Sequence, residues 1–275
     1  MAVESVTETA MIWGTVSGAS MVGMVISLLL SVGLPIFLGI FIYKKTKAWV
    51  PAFFIGCGIF VGFAMILEQI CHAIVLTVTG DVIRDNIWLY AIYGGLAAAL
   101  FEECGRWIAM KFCLKKHLTR ENALMYGAGH GGIEAFLILG MSSMSNLLTA
   151  AMINGGLMEK TMTALEPAQQ EVTYHQLSVL WTTPAYQFYL APVERISAIA
   201  LQIALSILVY SAVKTGRKLH LAVAFGLHFA VDFLTVICAA AIPTWALELG
   251  LLLVIAVICV VVYQLVYVQM AEKKA

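Results

Sequence analysis

Inside the most apolar stretches of this chain, ionisable and imidazole side chains recur at a spacing of four: Glu68 and His72, Glu102 and Arg106, His130 and Glu134, His228 and Asp232. Four residues is about one helical turn, so each pair occupies one face of its helix. A charge at the centre of a bilayer costs roughly 2.5 to 3.5 kcal/mol on insertion scales. Such faces therefore turn away from lipid, and four helices with polar stripes are expected to converge in one interior. The residue types suit hydrolysis. A buried Glu can take a proton from water, and imidazoles can orient that water, stabilise a developing oxyanion or bind a metal. Arg106, one turn from Glu102, is placed to pair with one carboxylate of Glu102-Glu103 and hold the other in position.

These side chains need membrane helices to carry them, and the composition supplies them. Of 275 residues, 61% are hydrophobic and 12% charged, with a mean hydropathy of +0.92. A soluble domain averages about 25% charged residues, so the chain reads as an all-α polytopic membrane bundle. A net charge of zero gives no case for nucleic acid or another polyanion. The six cysteines show no metal-ligand spacing and are expected as free thiols. Glu4 and Glu8, with no Lys or Arg ahead of the first apolar run, make a poor signal peptide, so that run is expected to be retained.

Hydropathy gives seven spans, near 17–43, 50–78, 87–114, 122–142, 184–213, 219–242 and 244–270. Twelve cations fall on one side of this arrangement: Lys44, Lys45, Lys47, Lys111, Lys115, Lys116, Arg120, Lys214, Arg217, Lys218, Lys273 and Lys274. Only Arg84 and Lys160 fall on the other, which sets the N-terminus outside and the C-terminus inside. Arg106 and Arg195 lie within spans and need partners there. Residues 1–275 read as a single membrane domain. The one long connection, 143–183 on the outer side, contains a piece from Asn146 to Met158 too short to span, which suggests an interfacial or re-entrant helix.

Counting at about 1.5 Å per residue, Glu102, His130 and His228 reach a similar depth in the cytoplasmic half. Glu134, Glu194, Arg195, Glu68 and His72 are expected to form a second polar layer. Gly127, Gly129, Gly131 and Gly132 flank His130 and permit close approach of a neighbouring backbone.

At Glu102-Glu103-Cys104-Gly105-Arg106, Tyr126-Gly127-Ala128-Gly129-His130 and His228-Phe229-Ala230-Val231-Asp232 the sequence resembles the CPBP superfamily of intramembrane endopeptidases. That superfamily includes the type II CAAX prenyl proteases and bacteriocin-processing proteins, and within it the chain looks most like the YhfC branch. The resemblance implies a peptidase of the bacterial plasma membrane acting on a peptide or membrane-protein substrate, with Glu102 as the base that activates water. It implies that Glu103, Arg106, His130, His228 and Asp232 complete the site. Asp232 replaces the usual Asn, and an ionised Asp can only accept hydrogen bonds. It would thus be protonated, orient His228, or bind a metal. Gln202 stands where the resemblance leads one to expect His, and no role is assigned to it.

No cofactor is firmly implied, but two His with carboxylates is an acceptable zinc set, and His130, His228 and Asp232 or a Glu are the candidate ligands for a divalent ion. A proton-relaying transporter and a catalytically inactive scaffold are the readings from other classes. The chain shows no obvious repeat of its two halves, a feature that many transporters have.

Overall fold

A computed structural model describes residues 11–270; Glu4, Glu8, Lys273 and Lys274 lie outside them. The described residues are helical, without strands, and seven helices are long and apolar enough to cross a membrane: Gly18–Thr46, Pro51–Thr79, Ile87–Cys113, Arg120–Asn154, Ala185–Thr215, Lys218–Ala239 and Thr244–Tyr267. They are numbered here as the first to seventh spans. Local chemistry sets several of their ends. Ser17, Asn86 and Thr119 cap the first, third and fourth spans by accepting from backbone N–H groups of the first turn. Gly216 closes the fifth in the left-handed region at φ 74°.

The fourth span differs from expectation. The apolar residues after 142 do not form a separate interfacial or re-entrant piece; as far as Asn154 they prolong the same helix. Its continuous apolar face makes this possible, and a π-helical turn at Phe136–Gly140 re-phases that face partway along. Only Leu157–Met162 and Pro167–Thr182 remain as short helices of the long connection. They are tied down at one end of the bundle, where Asn154 bonds the backbone of Val16 in both directions, Tyr174 donates to the Ile12 carbonyl, and Trp181 packs with Trp13. At the other end Asn122 accepts from Trp49 N, Trp49 stacks on His117 at 4.1 Å, and Arg120 donates to the Tyr267 carbonyl.

The fifth span is the central post. In its most apolar window 72% of residues are buried, against 33% or less in the other six, and Gln202, Ser206 and Ser211 along it are buried in protein. Pro192 within it cannot donate to the Phe188 carbonyl one turn earlier, and Ser27 of the first span donates to that carbonyl instead, at 3.1 Å. The third and sixth spans pack on each other, as do the fourth with the second and fifth.

The fourth span passes its neighbours at backbone contact. A Cβ at Gly129 would lie 1.9 Å from the Phe53 carbonyl oxygen, and one at Gly127 would lie 2.7 Å from the Ile203 Cα. Without a lipid-phase hydrophobic drive between helices, this close approach contributes packing to their association, and it presents His130 to the interior. Gly129→Leu is therefore expected to destabilise the detergent-solubilised protein by about 1–3 kcal/mol or more. Gly58→Ala, where a Cβ meets nothing within 4 Å, should leave the thermal midpoint unchanged.

Candidate active site

Four helices deliver the polar residues. The third carries Glu102, Glu103 and Arg106, the fourth Tyr126, His130 and Glu134, the fifth Glu194, Arg195 and Gln202, and the sixth His228 and Asp232. Arg106 and His130 are wholly inaccessible, Glu103 is 1% exposed, and His228 and Gln202 are 3% exposed. Glu102, Gln202 and His228 each fall within about a turn of the middle of their helices, deeper than counting inward from the basic loops suggests.

The bonds converge on Glu102. Its Oε2 lies 2.9 Å from His130 Nε2 and accepts from Gln202 Nε2 at 2.9 Å. The Arg106 Nη2 group is 4.0 Å from the same oxygen and donates to Gln202 Oε1. Gln202 Nε2 also donates to Glu134 Oε2 at 2.8 Å, so one amide joins both carboxylates and the buried guanidinium. Arg106 pairs directly with Glu103, whose Oε1 lies 2.8 Å from His228 Nδ1. His228 Nε2 then stands 3.9 Å from Glu102 Oε2 and 3.5 Å from Asp232 Oδ2. The ring of His228 is thus oriented by Glu103 on another helix, and Asp232 one turn away is the more distant neighbour.

A cavity of about 280 Å³ opens beside this network, lined by Glu102, Glu134, Glu194, Arg195, Gln202, His228 and Asp232, with Leu251 and Ile255 of the seventh span on its apolar side. His130, Glu103 and Arg106 are absent from the lining and stand behind it. His130 is held from the rear, its Nδ1 3.5 Å from the Tyr126 hydroxyl and its ring edge-on to Phe60. The expected second polar layer divides in two. Arg195 donates to Glu134 at 3.0 Å and pairs with Glu194, and all three line the cavity. Glu68 and His72 do not line the cavity and pair with each other at 3.2 Å, with Tyr93 at 2.7 Å from the other nitrogen of His72. Sequence reasoning gave Gln202 no role, although a lone amide in the middle of an apolar span is itself a signal of an interior partner.

The donor set fits a divalent ion. Atoms of Glu102, His130 and Glu134 all lie within 4.8 Å of one another, a group that shares His130 and a Glu with the expected set. The sequence offered no way to see that Glu134 turns toward Glu102. His228 Nε2 borders the group, and its far nitrogen carries a carboxylate partner, the arrangement that orients metal-binding imidazoles. Five carboxylates (Glu102, Glu103, Glu134, Glu194, Asp232) face two guanidinium groups (Arg106, Arg195) here. Glu102, Glu103 and Glu134 are the buried ones among them, while Glu194 and Asp232 are half-buried, so protons, a bound cation or solvent offset the negative excess.

Comparisons with known proteins extend the geometry. A family model described as YhfC intramembrane metalloprotease matches residues 30–259. An uncharacterized membrane protein, YhfC, of Bacillus subtilis (strain 168) is 43% identical over 204 residues, covering 71% of this chain and 76% of the relative. No solved structure matches. The matched region holds all four helices of the site, and the chain is an integral membrane protein belonging to the YhfC intramembrane metalloprotease family.

Proposed function

We propose that this protein is an endopeptidase of the bacterial plasma membrane that hydrolyses a peptide bond with a water activated by Glu102. The observation that supports it most is the placing of Glu102 and His228, from two helices, on the wall of one cavity with His228 Nε2 3.9 Å from Glu102 Oε2. That separation is too long for a direct hydrogen bond and leaves room for a bridging atom. The hydrogen bonds to Glu102 described above gather on Oε2, which leaves its other oxygen to address a water in the cavity. The water attacks the scissile carbonyl carbon, its proton passes to Glu102, and Glu102 returns that proton to the departing amine. His130 and Gln202 act as positioning residues for the carboxylate. His228, held at Nδ1 by Glu103, directs Nε2 to the place where the reacting groups sit. The guanidinium of Arg195 on the same wall can stabilise negative charge that develops on the substrate.

A metal-dependent form of this hydrolase is favoured by one observation, the Glu102, His130 and Glu134 cluster amid excess carboxylate. A divalent ion held by these three, with His228 beside them, would supply Lewis-acid activation of the water. The roles of Arg106, Gln202 and Arg195 as fixed positive and polar groups are the same in either form.

Glu102→Gln is expected to leave the protein folded and to lower cleavage by about 10²- to 10⁴-fold. New protein termini in membranes expressing the wild type, compared with the variant by mass spectrometry, measure this; identical termini discard the assignment. Metal content of the purified protein separates the two forms. In the metal form a divalent ion is retained and lost with Glu134→Gln, and chelation stops turnover; in the other, chelation changes nothing. Gln202→Leu removes the bridge between two buried carboxylates and should destabilise the fold by about 1–3 kcal/mol, read as a lower thermal midpoint.

A further inference from the structure

A second hollow, of about 580 Å³, lies between the third and sixth spans, away from the cavity just described. Glu103, Cys104 and Trp107 line one side, and Lys218, Leu221 and Phe225 the other. The two helices meet closely further along, where a Cβ at Gly95 would lie 3.1 Å from both the ring and the carbonyl oxygen of Phe229. The groove lies towards the basic end. Cys104 is exposed there, so the groove faces the bilayer.

Its polarity runs in one direction. Lys218 stands at the first turn of the sixth span, and Leu221 and Phe225 follow on the same face at helical spacing. Lys111, one turn beyond Trp107, holds its ammonium 4.3 Å over that indole, and Arg217 precedes the helix. Cations at the interfacial end and an apolar trough below match an amphiphile with an anionic head and a hydrocarbon tail. A substrate helix crossing the whole membrane would need polar partners at both ends. The volume lies within the range of about 300–1,000 Å³ usual for small-molecule sites. Basic pockets between membrane helices on the cytoplasmic side are places where anionic lipid headgroups bind.

We propose that this groove is a binding site for one anionic phospholipid, with its phosphate at Lys218 and Lys111 and an acyl chain laid over Trp107, Leu221 and Phe225. The lipid fixes the separation of the third and sixth spans. These spans carry Glu102 and His228, and they are joined across the interior by Glu103, the residue that closes the bottom of the groove. Occupancy at the cytoplasmic leaflet is thereby linked to the geometry of the cavity without any contact with it.

Cys104 provides a readout that does not depend on catalysis. In nanodiscs of phosphatidylcholine alone, or of equal parts phosphatidylcholine and phosphatidylglycerol, modification of the wild-type protein by a membrane-permeant maleimide is followed peptide by peptide. Cys104 should react several-fold more slowly in the anionic discs, with Cys71 on the second span unchanged. That difference should vanish in the K111Q/K218Q double variant. Equal rates in the two lipids overturn the site, as does protection that survives in the double variant. Protection in phosphatidylcholine alone also overturns it, in favour of a neutral lipid or a protein segment as the occupant. Native mass spectrometry of the wild type needs no variant: retention of one phosphatidylglycerol is expected, and equal retention of phosphatidylcholine counts against the proposal.

Discussion

A guanidinium with no access to solvent in the middle of a membrane helix can exist only if its charge is answered by the protein around it. Arg106 imposes that demand on the rest of this structure. Its side chain takes Glu103 on one arm and Gln202 on the other, with Glu102 beside the second. Each of those groups then binds something further: Glu103 holds His228, and Gln202 joins Glu102 to Glu134. The chain of obligations ends at Arg195, which engages Glu134 and Glu194. Four spans are therefore locked in register by polar bonds that lipid cannot replace.

The apolar remainder of the fold serves this network. Backbone contact at Gly129 and Gly127 brings the fourth span against the second and fifth, so that His130 reaches Glu102. The central fifth span supplies the amide from a buried position and the second guanidinium from a half-buried one on the cavity wall. Residues that stand behind the cavity wall, His130, Glu103 and Arg106, hold in place those that line it. Such layering holds the carboxylate of Glu102 in one orientation, as the proposed hydrolysis requires.

The sequence was a good guide to the helices and a partial guide to the site. Apolar runs of sufficient length must span, and the basic residues at alternate loops set their direction, so seven passes could be read directly. The run beyond residue 142 was misjudged, since length and polarity alone do not tell a separate short helix from an extension of the preceding one. The i, i+4 pairs announced which helices carry inward faces. They did not show that Glu68 pairs with His72 and His72 with Tyr93, off the cavity wall, while Glu134 and Arg195 line it.

By itself, then, the chain determined a membrane-embedded helical bundle and the polar residues that it had to hide, because the cost of exposing them to lipid depends on residue type and span alone. The partnerships among them belong to the tertiary structure. That His228 is oriented by Glu103 in place of its own neighbour Asp232, and that Gln202 rather than an acid or a histidine joins the site together, follows from the rotation and separation of packed helices. Those quantities arise from contacts such as Gly129 on Phe53, between residues far apart in sequence, which no periodicity along one helix encodes.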